Sequence, residues 1–417
     1  MLPWLVLGIV VLTLILMLVR PARLPEGAYA AVGAALILAT GQVGVEDLRA
    51  TLDDTGDVLL FLVGMLLLVG VVERAKVFDV VGEFIARLAN GRGTTLFLGI
   101  SILAVLVTGL LSLDVTVILL PPVIFALSRQ MRVPPMPLLM VTVFLANTAS
   151  LGLPVSNLTN LLLFEQAGMS FAEFWSVLWL PNLLAAAITI AVIWGRHRRE
   201  IGHRFSPPPR ENSTGMSTWT AFTGLTLLVS LGLLVLAGLA GRPLWWVAVA
   251  AGVGLVAIEL ARGTVSGRTV LRSSSPWVLL FVVGMSVVVT GFERAWIDGR
   301  TITFPNGEVD ALLASVGLNA IGSNIVNNVP MTLLSGVVIE QAPGALHEVM
   351  TVGTLIGANI GPALTTYGSL ATILWLAGLR REGIDLATRD YLRVSMFLVP
   401  AALAAAILGA IMSLGLA

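Results

Sequence analysis

The sequence has no cysteine in its 417 residues. That absence excludes disulfides, thiolate metal sites and thiol nucleophiles. Lysine is almost missing as well. Lys76 stands alone, and no G-x-x-x-x-G-K-[ST] surrounds it, so the chain should not hydrolyse ATP by itself. The three histidines, His197, His203 and His347, fall in predicted loops without H-E-x-x-H spacing and read as solvated interfacial residues. No metal or other cofactor is expected. Charge is scarce overall: 12% of residues are charged against 57% hydrophobic, too apolar for a soluble fold of this length. Net charge is zero and says nothing about nucleic acid. No nucleic-acid partner is expected.

Long apolar runs, by contrast, recur from end to end. Each is long enough to cross a hydrocarbon core of about 30 Å. The chain therefore reads as an all-α polytopic membrane protein with the lipid bilayer as its solvent. The first run, 2–19, has neither a basic n-region nor a small-residue cleavage site and is expected to be a retained helix. Crossings are predicted near 3–19, 26–41, 58–73, 136–164, 175–194, 219–240, 244–261, 277–292, 349–378 and 391–415. The stretches 95–127 and 311–339 are interrupted by polar residues at their middles. They are too short for two crossings at about 20 residues each, so re-entrant hairpins fit better.

The basic residues test that topology. With both hairpins re-entrant, twenty of the 24 Lys and Arg residues fall on one side. Only Arg49, Arg242, Arg294 and Arg300 fall on the other, with the acidic loop "VEDLRATLDDTGD" (45–57). The positive-inside rule then makes the central linker 196–217 cytoplasmic and puts both termini outside a cell (inner or plasma) membrane.

The chain also matches itself. "VLLFLVGMLLLVGVVERA" (58–75) and "VLLFVVGMSVVVTGFERA" (278–295) share 11 of 18 positions at an offset of 220. The expected architecture is an inverted-topology repeat of two five-helix halves, 1–195 and 218–417. Each half has a re-entrant hairpin and an interrupted helix, giving ten crossings plus two hairpins. Paired broken helices in inverted repeats are the architecture of secondary transporters, with the substrate site near the bilayer midplane.

The interruptions carry the chemistry. In "GANIGPALTTYGSLAT" (357–372), Pro362 removes a backbone donor and pushes residue 361 away from helix. Gly353, Gly357 and Gly361 recur every four residues, which is also the spacing of a close helix-packing face. Non-helical backbone at membrane depth must be buried in protein or line a wet cavity. Asn359, Gly361, Thr365, Thr366 and Ser369 are therefore expected to bind substrate, with the freed peptide groups beside them. The mirror segment "ANTASLGLPVSNLTN" (146–160) offers Asn147, Thr148, Ser150, Ser156 and Asn157.

The hairpin tips complete the set. "LSLDVTVILLPP" (111–122) contributes Thr116, and "GSNIVNNVPMTLLSG" (322–336) contributes Asn327 and Asn328. Half-helix N-termini at such tips present positive dipole ends. Asp114 is the only carboxylate placed deep in the predicted core. It is a functional candidate by default and suits proton coupling, although a cap at the hairpin turn is its structural alternative.

The stretches "NTASLGLPVSNLTN", "NIVNNVPMTLLSG" and above all "NIGPALTTYGSLATILWL", with the loop "NGRGTTLF" (90–97), resemble the arsenite efflux permease family (arsenical pump membrane protein) of the ion transporter superfamily. The likeness runs over nearly the whole chain. It implies export of the neutral trihydroxides of arsenite and antimonite in exchange for protons, sometimes assisted by a separate soluble arsenite-stimulated ATPase subunit. It also implies an acidic residue at the start of each interrupted helix, where Asn147 and Asn359 stand here, and a lysine where Ala363 stands. Asp114 would then carry proton coupling alone. A Na+/H+ antiporter and a silicic acid exporter of the same superfamily are the competing readings. An enzymatic role is not expected, since the core shows no paired carboxylates and no nucleophile–base pair.

Overall fold

A computed structural model describes residues 2–21, 24–205 and 216–416, the side chain of Asp54 excepted. Arg23, Arg210 and residues 206–215 of the predicted linker lie outside the described residues. Among those described, the protein is all helix, apart from one isolated bridge between Arg92 and Arg204.

The first part of the chain runs α1 (Leu2–Val19), α2 (Glu26–Ala39), α3 (Val45–Arg74), α4 (Val77–Ala89), α5 (Gly93–Leu110), α6 (Leu113–Met131) and α7 (Met136–Thr148). A 3-10 turn, Pro154–Ser156, then separates α7 from α8 (Leu158–Gln166), and α9 (Phe171–Ile201) follows. The second part runs α10 (Thr218–Leu239), α11 (Trp245–Ala261), the short α12 (Gly267–Ser273), α13 (Pro276–Phe292), α14 (Glu308–Val326), α15 (Asn328–Glu340) and α16 (Gly344–Ile360). Here too a 3-10 turn, Gly361–Leu364, precedes α17 (Leu370–Arg381), and α18 (Thr388–Leu414) closes the chain.

Nine helical segments among the described residues are long and apolar enough to cross a bilayer. They include α5, α6 and α14, which the sequence assigned to hairpins. The hairpin helices are longer than the polar interruptions suggested, because α6 continues through Pro121 and Pro122. Two expected crossings, 26–41 and 244–261, are α2 and α11, only 14 and 17 residues long. At 1.5 Å per residue, α2 rises about 21 Å, short of a full hydrocarbon core. The sequence reading missed α4. Phe78, Gly82, Ala86 and Ala89 are buried at helical spacing, with Gly82 against Val123 of α6, while Phe84 and Leu88 are exposed. This is the one-sided stripe of an amphipathic surface helix.

Helix directions follow from side-chain contacts. The end of α3 meets the start of α13, where Arg74 Nη1 donates to Ser273 Oγ at 3.1 Å. The start of α3 meets the far end of α13, where Arg294 grips Asp47. The two copies of the sequence repeat thus lie antiparallel. Beside them, α11 runs parallel to α3 at very close range: a Cβ on Gly64 would come within 2.4 Å of the Ala248 carbonyl carbon. Such approach needs glycine and maximises van der Waals contact where lipid offers no hydrophobic drive.

The α5–α6 and α14–α15 hairpins enter from opposite ends of the bundle. Arg92, before α5, bridges Arg204, after α9, and Arg129, near the end of α6, pairs with Glu382, after α17. Helix α9 is antiparallel to α18, since Gly409 meets Pro181 and Ser413 Oγ donates to the Val177 carbonyl at 2.7 Å. Both ends of the first hairpin therefore lie at one end of the bundle. That end also holds Arg20, Arg74 and Arg380. The second hairpin finishes at Glu340, which accepts from Gln166 Nε2 at 2.8 Å near the start of α9, the opposite end.

Candidate functional site

Local chemistry explains where the broken helices stop. Helix α7 holds its last polar side chains to its own backbone. Asn147 Nδ2 donates to the Val143 carbonyl at 3.1 Å, Thr148 Oγ1 to the Phe144 carbonyl at 3.0 Å, and Ser150 Oγ to the Asn147 carbonyl at 2.8 Å. The second helix is not broken at residue 361 as Pro362 suggested. Gly361 keeps helical angles (φ −54°, ψ −44°), and the chain opens only after the 3-10 turn, at Thr365. Pro362 is the second residue of that turn, which continues directly from α16, so it removes one helical hydrogen bond without ending the helical path.

Five of the freed peptide groups, expected from the sequence to stand open beside the substrate, are instead paired within the protein. Asn324 Nδ2 donates to the Gly361 carbonyl at 2.8 Å, Tyr391 Oη to the Ala363 carbonyl at 2.9 Å, and Ser395 Oγ to the Leu364 carbonyl at 2.6 Å. In the first break, Asn182 Oδ1 accepts from Leu151 N at 3.0 Å, and Asn160 Nδ2 donates to the Ser150 carbonyl at 2.7 Å. Buried backbone must be paired somewhere, and here side chains from α8, α9, α14 and α18 do it.

The two breaks are tied directly to each other. Asn359 Oδ1 accepts from Asn157 Nδ2 and from Thr159 Oγ1, the latter at 2.9 Å, while its Nδ2 donates to Asn160 Oδ1 at 2.6 Å. Asn359 is 1% exposed. It is a bolt between α16 and α8 and lies off the cavity wall, with its amide oxygen accepting twice and its amide nitrogen donating across to α8. The glycine stripe is a packing face. Gly353 meets Leu312 and Ser315, Gly357 meets Val316 and Asn319, and Gly361 abuts Ala320 on the parallel helix α14. Gly361, expected to contact substrate, is thus sealed against a neighbour.

A cavity of about 500 Å³ lies beside this bolt. Its wall takes Ser112 and Asp114 from the first hairpin tip, Asn157 from the first break, Asn327 and Asn328 from the second tip, and Ser369 from the second break. Four of these are N-caps. Ser112 Oγ accepts from Val115 N at 3.3 Å, Asn157 Oδ1 from Thr159 N at 3.4 Å, Asn327 Oδ1 from Val329 N at 3.4 Å, and Ser369 Oγ from Ala371 N at 3.2 Å. The N-termini of α6, α8, α15 and α17 therefore converge on one space. Each carries roughly half a positive charge at its end. Asn327 sits at φ 77°, a left-handed conformation rare outside glycine, which marks the tip as a constrained turn.

Asp114 is half-buried on this wall, and no hydrogen-bond or ion-pair partner holds its carboxylate among the described residues. Asn328 is likewise free in its side chain and buried. The remaining sequence candidates lie off the wall. Thr116 bonds Thr108 at 2.8 Å inside the first hairpin, Thr148 bonds Thr189 at 2.8 Å, and Thr365 Oγ1 donates to Asn324 Oδ1 at 2.7 Å. Ser156 is engaged within its own turn, and Thr366 is half-buried outside the cavity lining.

Sequence reasoning missed part of the wall. Ser112 carried a readable signal, a serine just ahead of an Asp-containing first helical turn. Arg20 entered only through the arginine bias, and Glu26 and Glu73 not at all as site candidates, yet all three line the cavity. They reach it with Ser273 and Ser275 from the arginine-rich end of the bundle. Asp47 and Arg294, at the opposite end, do not. The cavity thus runs from the hairpin tips towards the arginine-rich end.

This architecture has relatives. A model of the citrate transporter family matches residues 4–359. The chain belongs to the citrate transporter family. Within this set of relatives, the arsenical pump membrane protein of Escherichia coli (strain K12) is 28% identical over 406 residues, covering 94% of each chain. The 46 kDa membrane protein of Mycobacterium leprae (strain TN) is 23% identical over 411 residues, covering 93% of this chain and 94% of its own. The crystal structure of the Alcanivorax borkumensis YdaH transporter, described as having an unusual topology, superposes with a TM-score of 0.55 at 16% identity. It covers 89% of this chain and 90% of that one, a likeness of fold alone. The resemblance to arsenical pump membrane proteins read from the broken-helix motifs agrees with these relatives. The protein is a multi-pass membrane protein of a transporter family.

Proposed function

We propose that this citrate transporter family member is a secondary active exporter of arsenite and antimonite, carried as neutral trihydroxides in exchange for protons. One observation carries the reading: an unpaired carboxylate, Asp114, shares a cavity with four capped helix N-termini and three amide side chains, Asn157, Asn327 and Asn328. The charges of that cavity suit an uncharged solute. Among the described residues its wall holds one guanidinium (Arg20) and three carboxylates (Glu26, Glu73, Asp114), a formal balance of −2. Four helix termini at about half a charge each offset this. A trihydroxide meets donors and acceptors there without a net field to oppose it. The absence of cysteine fits turnover, because thiolates would hold arsenic too tightly to let it go.

In this reading the arginine-rich end is cytoplasmic and the two antiparallel halves, 1–195 and 218–417, form an inverted repeat about the cavity. The cavity then faces the cytoplasm, the side from which an exporter loads. Asp114 is the proton carrier, and Asn157, Asn327, Asn328, Ser112 and Ser369 contact substrate. Asn359 holds the two breaks in register.

The helix termini alone favour an anion, and the family's description names citrate. Uptake into everted membrane vesicles separates the possibilities, comparing arsenite, antimonite, silicate, sodium and citrate with and without a pH gradient. Arsenite and antimonite uptake driven by an acidic vesicle interior is the expected result. Citrate, silicate or sodium as the only transported solute would replace this reading.

A further inference from the structure

Arg20 and Glu26 form an ion pair across the turn between α1 and α2, and both line the cavity. Among the described residues, Arg20 is the only basic side chain on that wall. It is held in a left-handed conformation (φ 48°) with its Nε donating to the Met17 carbonyl at 3.2 Å. Glu26 is 9% exposed, and the Arg20 side chain is 29% exposed. A second, small pocket of about 50 Å³ on the other side of the pair is lined by Asn324 and Asn327 of the second hairpin tip. The guanidinium therefore sits beside the capped N-terminus of α15, where its charge adds to the dipole. Such a combination is an anion site in waiting: a planar fork of donors with a helix N-terminus next to it. Only the Glu26 carboxylate occupies it.

We propose that Glu26 is the residue that keeps the cavity closed to anions, acting as a built-in carboxylate ligand of Arg20. The inference deepens the reading above and rests on the cavity being the route of a neutral solute. Removing Glu26 leaves a half-buried guanidinium uncompensated, and a buried charge without its partner recruits another of the same sign as the one lost. A small carboxylate or oxyanion from solution would then take the place of the Glu26 side chain and block the route.

The test uses the full-length protein in two assays, with citrate and inorganic phosphate as probes. In everted vesicles, millimolar citrate or phosphate should leave wild-type arsenite uptake unaffected and should cut that of Glu26→Gln about tenfold, equivalent to about 1.4 kcal/mol of anion capture. The double variant Arg20→Met/Glu26→Gln should lose the sensitivity. In lipid nanodiscs, the same anions should raise the melting temperature of Glu26→Gln and leave wild type and the double variant unmoved. The melting assay needs no transport, so it stands even if arsenite proves not to be the cargo. If Glu26→Gln fails to insert, Glu26→Asp, which retracts the carboxylate by one methylene, should show the same anion response in weaker form. Wild type responding to anions as strongly as Glu26→Gln would overturn the proposal. So would an anion response that survives removal of Arg20, or folded Glu26 variants that ignore both probes.

Discussion

Replacing Asn359 by alanine should unbolt the two broken helices, and the geometry sets the size of the effect. The asparagine accepts from Asn157 Nδ2 and Thr159 Oγ1 and donates to Asn160 Oδ1. Asn157 reaches the cavity wall, where water can replace the lost acceptor. Thr159 and Asn160 are both 0% exposed and have no such recourse. Asn160 cannot turn its amide to compensate, because its Nδ2 is committed to the carbonyls of Ser150 and Leu153 and to Ser156 Oγ. Two dry groups are thus orphaned, at about 1–3 kcal/mol each. Polar pairs inside membrane proteins tend to the low end of that range, so the expected loss is about 2 kcal/mol. Unfolding of such a protein is often irreversible, so the loss should be read as a shortened half-life of the monodisperse nanodisc-bound protein on heating. Asn359→Asp sharpens the test. A protonated carboxyl can donate to Asn160 Oδ1, whereas an ionised one faces that oxygen with no proton. The aspartate variant should therefore match wild type in acid and decay like the alanine variant at neutral pH. An alanine variant with an unchanged half-life would refute the view of Asn359 as a bolt, and a pH-independent aspartate variant would refute the assigned donor.

Four further outcomes are expected. Asp114→Asn should fold normally and lose the dependence of arsenite uptake on the pH gradient; exchange at the wild-type rate in everted vesicles would remove Asp114 from the coupling step. Gly64→Leu should cost about 1–3 kcal/mol or prevent assembly, since its side chain meets the Ala248 backbone, while Gly232→Leu, with nothing within 4 Å, should be silent in a melting assay. Glu259→Ala should destabilise by about 3 kcal/mol, because Arg74 reaches the carboxylate through both Nε and Nη2 and would be left three-quarters buried without it. Arg294, and then the Gly44 amide, hold the Asp47 carboxyl below the usual carboxylate range. A depressed pKa stabilises above the unfolded-state value and loses that contribution as pH falls through the folded-state value. The clamp should therefore persist at neutral pH and open only in strong acid, seen as faster hydrogen exchange at 42–47, and Asp47→Asn should remove that acid-dependent step.

Apolar run length, glycine and proline placement and the arginine bias were enough to read a multi-pass all-helical protein with two interrupted helices. Those features are local or statistical: a helix in lipid must satisfy its own backbone, so a proline followed by poor helix formers announces a break wherever it folds. The sequence also indicated which residue types crowd the midplane, and Asp114, Asn157, Asn327, Asn328 and Ser369 do meet on one wall. Their allocation was decided only in three dimensions. Asn157 and Asn359 are the same residue type in matching segments, yet one caps a helix at the cavity and the other is buried with its hydrogen bonds on α8 and the residue that caps it. Gly361 and Thr365 read as site residues until α14 packed against the first and Asn324 bonded the second. Arg20 counted only towards the arginine bias and Glu26 only as the first residue of a predicted crossing until the turn between α1 and α2 brought both beside the second hairpin tip. Sequence announces that a polar group at membrane depth needs a partner, whereas only packing between distant helices determines whether that partner is the protein itself or the solute it carries.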